Sequence, residues 1–392
     1  MKSKRVLSID VMRGLTLFLM LFVNDLYVPG VPAWLTHRPA DFDGMGLADW
    51  VFPGFLFMVG MAVPFAIRNR IKKGDSNIRI VYHILIRTIS LLIIGVLMLN
   101  VERLNAELTG IPKYLWAILI YLAIFMIWND YPESRKKLAL ILKSIGAIVL
   151  VALVAVFRGG TPEETTWLVT GWWGILGLIG WGYLVTSLAY LGLKDNLPSA
   201  GLLLLGFVLL NALSMLGKLD FLNFAKPVFG VIIDGNVPSI VMAGLFFSLL
   251  LRRLKTDPRR FVYAATAFGV AALVMGFVLR NWFIISKIQG TPSWAMICNG
   301  ISILLFVLLY ILMDVKGIVG WSELFKMAGR NSLTTYLAPN VVYYAIWLSG
   351  LPVLVYKLSE HSGVIILGSL AWSAAMILLA NWLAKRGIRL KL

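Results

Sequence analysis

Read from its N-terminus, the chain alternates long apolar runs with short polar stretches. The runs are about 17–23 residues long, the length at which an α-helix crosses the hydrocarbon core of a bilayer. They predict helices near residues 9–28, 49–67, 79–99, 112–128, 138–157, 173–193, 200–217, 236–251, 261–280, 293–313, 332–349 and 362–384. The fourth run is short, and the eleventh carries Thr334, Thr335, Pro339 and Asn340, so the expectation is 10–12 spans. No stretch of changed composition interrupts the series. The pattern therefore predicts an all-α fold, a polytopic helical bundle forming a single transmembrane domain over residues 1–392.

Composition agrees with the pattern. Of the 392 residues 59% are hydrophobic, and the mean hydropathy is +0.85, far above a water-soluble domain. The one cysteine, Cys298, lies inside an apolar run, so no disulfide framework is expected, and no metal either, because no Cys/His ligand spacing occurs. The glycines of "GWWGILGLIGWG" (171–182) suit close helix packing, and no GxxxxGK[ST] phosphate loop is present.

Charge orients the bundle. Two-thirds of the 36 basic residues fall on one side: Lys2, Lys4 and Arg5, the loops near 68–79, 135–137 and 252–260, Lys194, Lys316, Lys326 and Arg330, and the segment 385–391. The positive-inside rule then puts both termini in the cytoplasm of an inner (cell) membrane protein, with the lipid bilayer as its first partner. The same rule accounts for the net charge of +17, and no nucleic-acid partner is needed to explain it. Arg13 and Asn24 inside the first run argue against a cleaved signal peptide.

Chemistry enters with "FVNDLYVPGVPAWLTH" (22–37), where an apolar run ends in Asn24 and Asp25 and reaches His37 soon afterwards. At about 100° per residue, Arg13 lies about 60° and Asn24 about 40° from Asp10, so the three share one stripe. Facing lipid, such a stripe would cost about 2.5–3.5 kcal/mol for the arginine or aspartate alone. Two arrangements avoid this cost. Asp10 and Arg13 can form a structural ion pair while Asn24 bonds to a neighbouring helix. Alternatively, the stripe lines a passage from a basic cytoplasmic mouth to the outer histidine. Arg87 lies on one face with His83 at the start of the third run, and suits either a ligand phosphate or snorkelling to lipid headgroups. His83 reads as an interfacial packing residue.

The block "LSIDVMRGLTLFLMLFVND", a histidine in the following loop, and "GLADWVFPGFLFMVG" resemble the start of the heparan-alpha-glucosaminide N-acetyltransferase family of transmembrane acyltransferases. Further echoes are "LIRTISLLIIGVLMLN" (85–100), "DVKG" (314–317) and "GRNSLTTYL" (329–337). The resemblance implies transfer of an acetyl group from cytoplasmic acetyl-CoA to an amino sugar or glycan across the membrane, on nitrogen or on oxygen. It matches the family's asparagine to Asn24 and its active-site histidine to His37. Between His37 and the "AD-VFP" block, "RPADFDGMGL" departs from the family's shorter "H-x-x-W-N-G-L" and supplies Asp41 and Asp43 instead. These two, with Asp25 and Asp49, are the carboxylates expected to contact an acceptor. Asp49 is equally suited to cap the second helix or to orient His37.

The implied chemistry fits the residue types. His37 is the candidate general base, and Asn24 the candidate amide donor to the thioester oxygen as it becomes an oxyanion. An acetyl-histidine intermediate is the other path. Arg13 and Arg87 are expected near the nucleotide diphosphate, as are Lys316, Arg330 and Asn331, unless Asn331 simply caps the helix starting near Ser332. Asp10 lines the passage or serves structure. The alternative from another class is a secondary transporter of a sugar or acidic metabolite, although no Gly/Pro-broken spans repeat in the two halves. Packing glycines in an all-helical body leave room for a homodimer.

Overall fold

A computed structural model describes residues 6–392; Lys2, Lys4 and Arg5, counted above, lie outside them. Ten described helices are long and apolar enough to cross a membrane. They are α1 (Leu7–Asp25), α2 (Leu47–Lys72), α3 (Asn77–Val101), α6 (Lys136–Val156), α7 (Gly174–Leu193), α8 (Leu197–Met215), α10 (Asn236–Leu254), α11 (Pro258–Leu279), α12 (Pro292–Tyr310) and α15 (Ser362–Lys385). The other two expected runs also form helices, α5 (Lys113–Trp128) and α14 (Ser332–Ser349). α5 is short for a span. Three brief helices complete the order: α4 (Ala106–Thr109), α9 (Lys226–Ile233) and α13 (Glu323–Arg330). A hairpin of two-residue strands, Gly159–Gly160 with Thr165–Thr166, is the only sheet among the described residues. The protein is a multi-pass helical membrane bundle.

Polar punctuation starts many of the helices. Ser76, Asn196, Asp257 and Thr291 each accept a backbone N–H from the first turn of α3, α8, α11 and α12. α1 has no cap of its own. Its first N–H groups, from Leu7 and Ser8, donate 2.8 and 3.1 Å bonds to the carboxylate of Asp314, which follows α12 in a π-helical turn. The start of α1 is thereby tied to the end of α12.

α10 lies at the centre, packed on α2, α7, α8, α11 and α12. It approaches α2 through reciprocal glycines: a Cβ on Gly60 would meet the Val241 carbonyl oxygen at 1.9 Å, and one on Gly244 the Phe57 oxygen at 2.0 Å. α13 crosses under α1 in the same way, with Gly14 on the Phe325 backbone and Gly329 on that of Asp10. Leu138, Leu140, Ile141, Ile148 and Val151 of α6 stay exposed, as do Ile86 and Ile89 of α3 and Leu202, Leu205 and Leu209 of α8. Such an apolar perimeter is one that lipid covers.

At the basic end, Asp195 between α7 and α8 accepts from Arg252 of α10 (2.7 and 3.1 Å), Arg68 of α2 (2.5 Å) and Tyr190 (3.0 Å). The Arg252 guanidinium is the main reason the Asp195 carboxyl sits below its usual range. This knot ties α10 to α2 and to the end of α7, two helices that line the cavity described next.

Candidate active site

Along α1, Arg13, Leu17 and Met20 line one wall of a cavity of about 350 Å³. Phe55, Val59 and Ala66 of α2, Arg87 and Leu91 of α3, and Ile179 and Tyr183 of α7 form further walls. Arg330, Asn331 and Tyr336, at the α13–α14 junction, close it together with Arg389 and Lys391. Five cationic side chains line this cavity and no acidic side chain does. The rest of its lining is largely apolar.

Four residues expected at a nucleotide, Arg13, Arg87, Arg330 and Asn331, thus meet in one cavity. Arg87 stacks over the Tyr183 ring, with its guanidinium carbon 4.7 Å from the ring centre. Its buried Nε has no acceptor among the described residues, a costly state for a guanidinium N–H unless a ligand supplies one. Asn331 occupies the N-cap position of α14, but its side chain makes no capping bond; of the two alternatives, the cap is therefore corrected, and Asn331 lines the cavity instead. Lys316 is exposed beyond the π turn and does not line the cavity. Asp10 is buried on α1 against α13 and lies off the cavity.

Arg389 and Lys391 escaped the sequence reading. Their segment pairs antiparallel with the chain after α5 through an Asn129–Leu390 bridge. Arg389 N donates to Asn129 Oδ1 (2.7 Å), and Leu390 N to Thr334 Oγ1 (2.9 Å). A backbone-held strap thus carries two cations to the mouth. The only signal in the sequence was its "RLKL", which hydropathy treats as mere flank.

Farther along α1, Leu21 and Asn24 line a small second cavity with Tyr336, Pro339, Asn340, Tyr343 and Trp372. Tyr336 borders both cavities. Asp25 faces elsewhere. Wholly buried, it accepts from the hydroxyls of Tyr343 and Tyr356 and from Lys357 Nζ at 2.8 Å, so its carboxylate anchors the segment between α14 and α15. It lines neither cavity.

His37 stands at the opposite end from the basic mouth and lines neither cavity. Its Nδ1 lies 2.7 Å from Asp49 Oδ1; the ring is 46% exposed and the carboxylate 1%. A carboxylate can only accept, so the proton belongs on Nδ1 and the lone pair on Nε2. Asp49 Oδ2 accepts from the backbone of Gly46 (2.9 Å) and Arg38 (3.1 Å), which makes Asp49 both the cap of α2 and the holder of the imidazole. These partners are all the protein's own, which favours orientation of His37 among the roles expected of Asp49.

Asp43 braces the loop. It accepts from Ile285 N and Arg280 Nε, both at 2.8 Å, and these donors lower its pKa, the Ile285 backbone most. Gly44 N also donates to Ile285 O, and Ser286 Oγ to Ala40 O. Segment 281–291 is thereby laid against the His37 loop, while Asp41 stays exposed. The sequence reading missed the consequence: Lys287 Nζ comes to 3.1 and 3.2 Å from the two ring nitrogens of His37.

A family model described as a domain of unknown function, DUF5009, matches residues 5–165. The human heparan-alpha-glucosaminide N-acetyltransferase (Homo sapiens) is 25% identical over 364 residues, covering 86% of this chain and 53% of its own. The mouse protein of the same name (Mus musculus) is 28% identical over 141 residues, 34% of this chain and 21% of its own. The chain therefore spans about half the length of the human relative. The likeness is distant, and it supports an acyltransferase-like function in general terms.

Proposed function

We propose that the protein is a transmembrane acetyltransferase that takes an acetyl group from acetyl-CoA on the basic, cytoplasmic side and delivers it to an amino sugar on the other side. One observation carries this reading: a cavity lined by Arg13, Arg87, Arg330, Arg389 and Lys391, free of acidic side chains, whose other walls are largely apolar. A nucleotide with several phosphates joined to a long, thin, weakly polar arm has that same polarity. The phosphates take the guanidiniums at the mouth, where the buried Arg87 Nε gains an acceptor, and the arm lies among Leu17, Met20, Val59 and Ile179.

The acetyl end then points along α1 toward Tyr336 and Asn24. Asn24 Nδ2 donates to the thioester oxygen as charge gathers on it. His37 Nε2, its ring held by Asp49, takes the proton of the attacking amine; the C–N bond forms, the C–S bond breaks, and the thiolate leaves to be protonated. Because His37 lines neither cavity, the transfer requires the thioester to be drawn past Tyr336 when both substrates are bound. Catalytic contacts commonly tighten only in that complex.

Purified protein given radiolabelled acetyl-CoA and a panel of amino sugars tests the proposal. Labelled N-acetyl sugar is the expected product. Failure to bind acetyl-CoA and to label any acceptor would refute it, and uptake of unmodified sugar would favour the transporter.

A further inference from the structure

The ring of His37 is bracketed by two opposite charges. Asp49 of α2 holds Nδ1 at 2.7 Å, and Lys287 Nζ of segment 281–291 lies beside both ring nitrogens, 3.1 Å from Nδ1 and 3.2 Å from Nε2. Of the other charged groups in these two segments, Asp43 pairs with Arg280, Arg38 lies over the Phe42 ring with its guanidinium carbon 3.9 Å from the centre and its buried Nε without an acceptor among the described residues, and Asp41 is exposed. Behind them, on α12, lies the buried thiol of Cys298.

A carboxylate on one side of an imidazole favours the imidazolium, which has no lone pair and cannot act as a base. With a neutral ring, Asp49 and Lys287 balance each other. With a protonated ring the half-buried cluster carries a net positive charge, and Lys287 opposes that step. We propose that Lys287 is a positioning residue whose charge, set beside both ring nitrogens of His37, opposes protonation of the ring until the acceptor amine displaces it. This rests on the reading of His37 as the base.

The placement of Lys287 is built into the fold. Ser286 N donates to Thr291 Oγ1, Gly290 N closes a turn on the Lys287 carbonyl, and the Gly290 φ of +64° admits that turn. Burial lowers the Lys287 pKa, with the nearby Asp49 carboxylate acting against the shift.

The test measures the protonation of His37 without relying on turnover. In a His83→Gln/His361→Gln background of the full chain, His37 is the sole histidine, and its exposed ring reacts with diethylpyrocarbonate only when neutral. The midpoint of the rate against pH is compared for the parent, Lys287→Arg, Lys287→Gln and Lys287→Met. Removing the positive charge in the Gln and Met variants should raise the midpoint by about 1 pH unit, and the acid limb of kcat/KM with it, while Arg leaves both near the parent. Gln retains a donor of similar reach and guards against a loss of fold. Equal midpoints in all four proteins would overturn the proposal. A raised midpoint in a protein that labels no acceptor would uphold the Lys287–His37 coupling and count against the acetyltransferase reading alone.

Discussion

His37 is half exposed while the carboxylate that holds it is buried, and the two are suited to different work: the ring can meet a substrate, and Asp49 can only orient the ring. His37→Ala is therefore expected to lower turnover by about 10²-fold or more with acetyl-CoA binding near that of the parent, since the basic cavity lies at the other end of the bundle. Steady-state kinetics beside equilibrium binding check this; a variant with parental turnover would remove His37 from the chemistry. At this scale the sequence was informative about residue type and poor about pairing. His37 stood out as one of three histidines, in a loop after an amphipathic stripe. Lys287, 250 residues further on, is an ordinary loop lysine until Asp43, Ala40 and Gly44 bind its segment to the His37 loop. Asp25 and Asp43 looked like acceptor contacts for the same reason: their partners, Tyr343, Tyr356, Lys357, Arg280 and Ile285, are distant in sequence.

Among the elements, hydropathy located the ten described helices long enough to cross, and α5 and α14 besides, because the bilayer demands apolar runs of a set length, but it did not mark where each helix ends. α2 runs on to Lys72, past the last apolar turn, through Arg68 and Arg70, which continue the helix in water. α1 stops at Asp25, before the expected end, because the following "YVPG" turns into a 3-10 helix. α13 was invisible to hydropathy, being short and amphipathic, yet it and the 389–391 strap complete the cavity. Two outcomes follow at this scale. Arg87→Ala should weaken acetyl-CoA binding by about 10- to 150-fold while use of acetyl-pantetheine, which lacks the diphosphate, stays near parental; equal losses with both donors would make Arg87 structural. Gly60→Val forces a branched side chain onto the Val241 carbonyl, and a loss of about 1–3 kcal/mol or more is expected, read as a fall in the unfolding temperature in detergent. An unchanged temperature would mean that α2 and α10 separate freely.

The whole molecule has two unlike ends, five cations around a cavity at one and a histidine–carboxylate pair at the other, joined by the face of α1 that carries Arg13, Leu17, Met20 and Asn24. Orientation follows from the charge bias, and a Cys298→Ser background checks it: Asp41→Cys should react with an impermeant thiol reagent from outside, and Lys73→Cys should not. The reverse pattern would invert the account. The central claim, that an acetyl group crosses while its carrier does not, is met most directly in sealed inverted membrane vesicles loaded with glucosamine and given acetyl-labelled acetyl-CoA on their outer, cytoplasmic surface. The expected result is labelled N-acetylglucosamine inside the vesicles with the CoA left outside, and its loss in His37→Ala. Labelled acetyl-CoA recovered intact in the lumen, or product formed only outside, would contradict it.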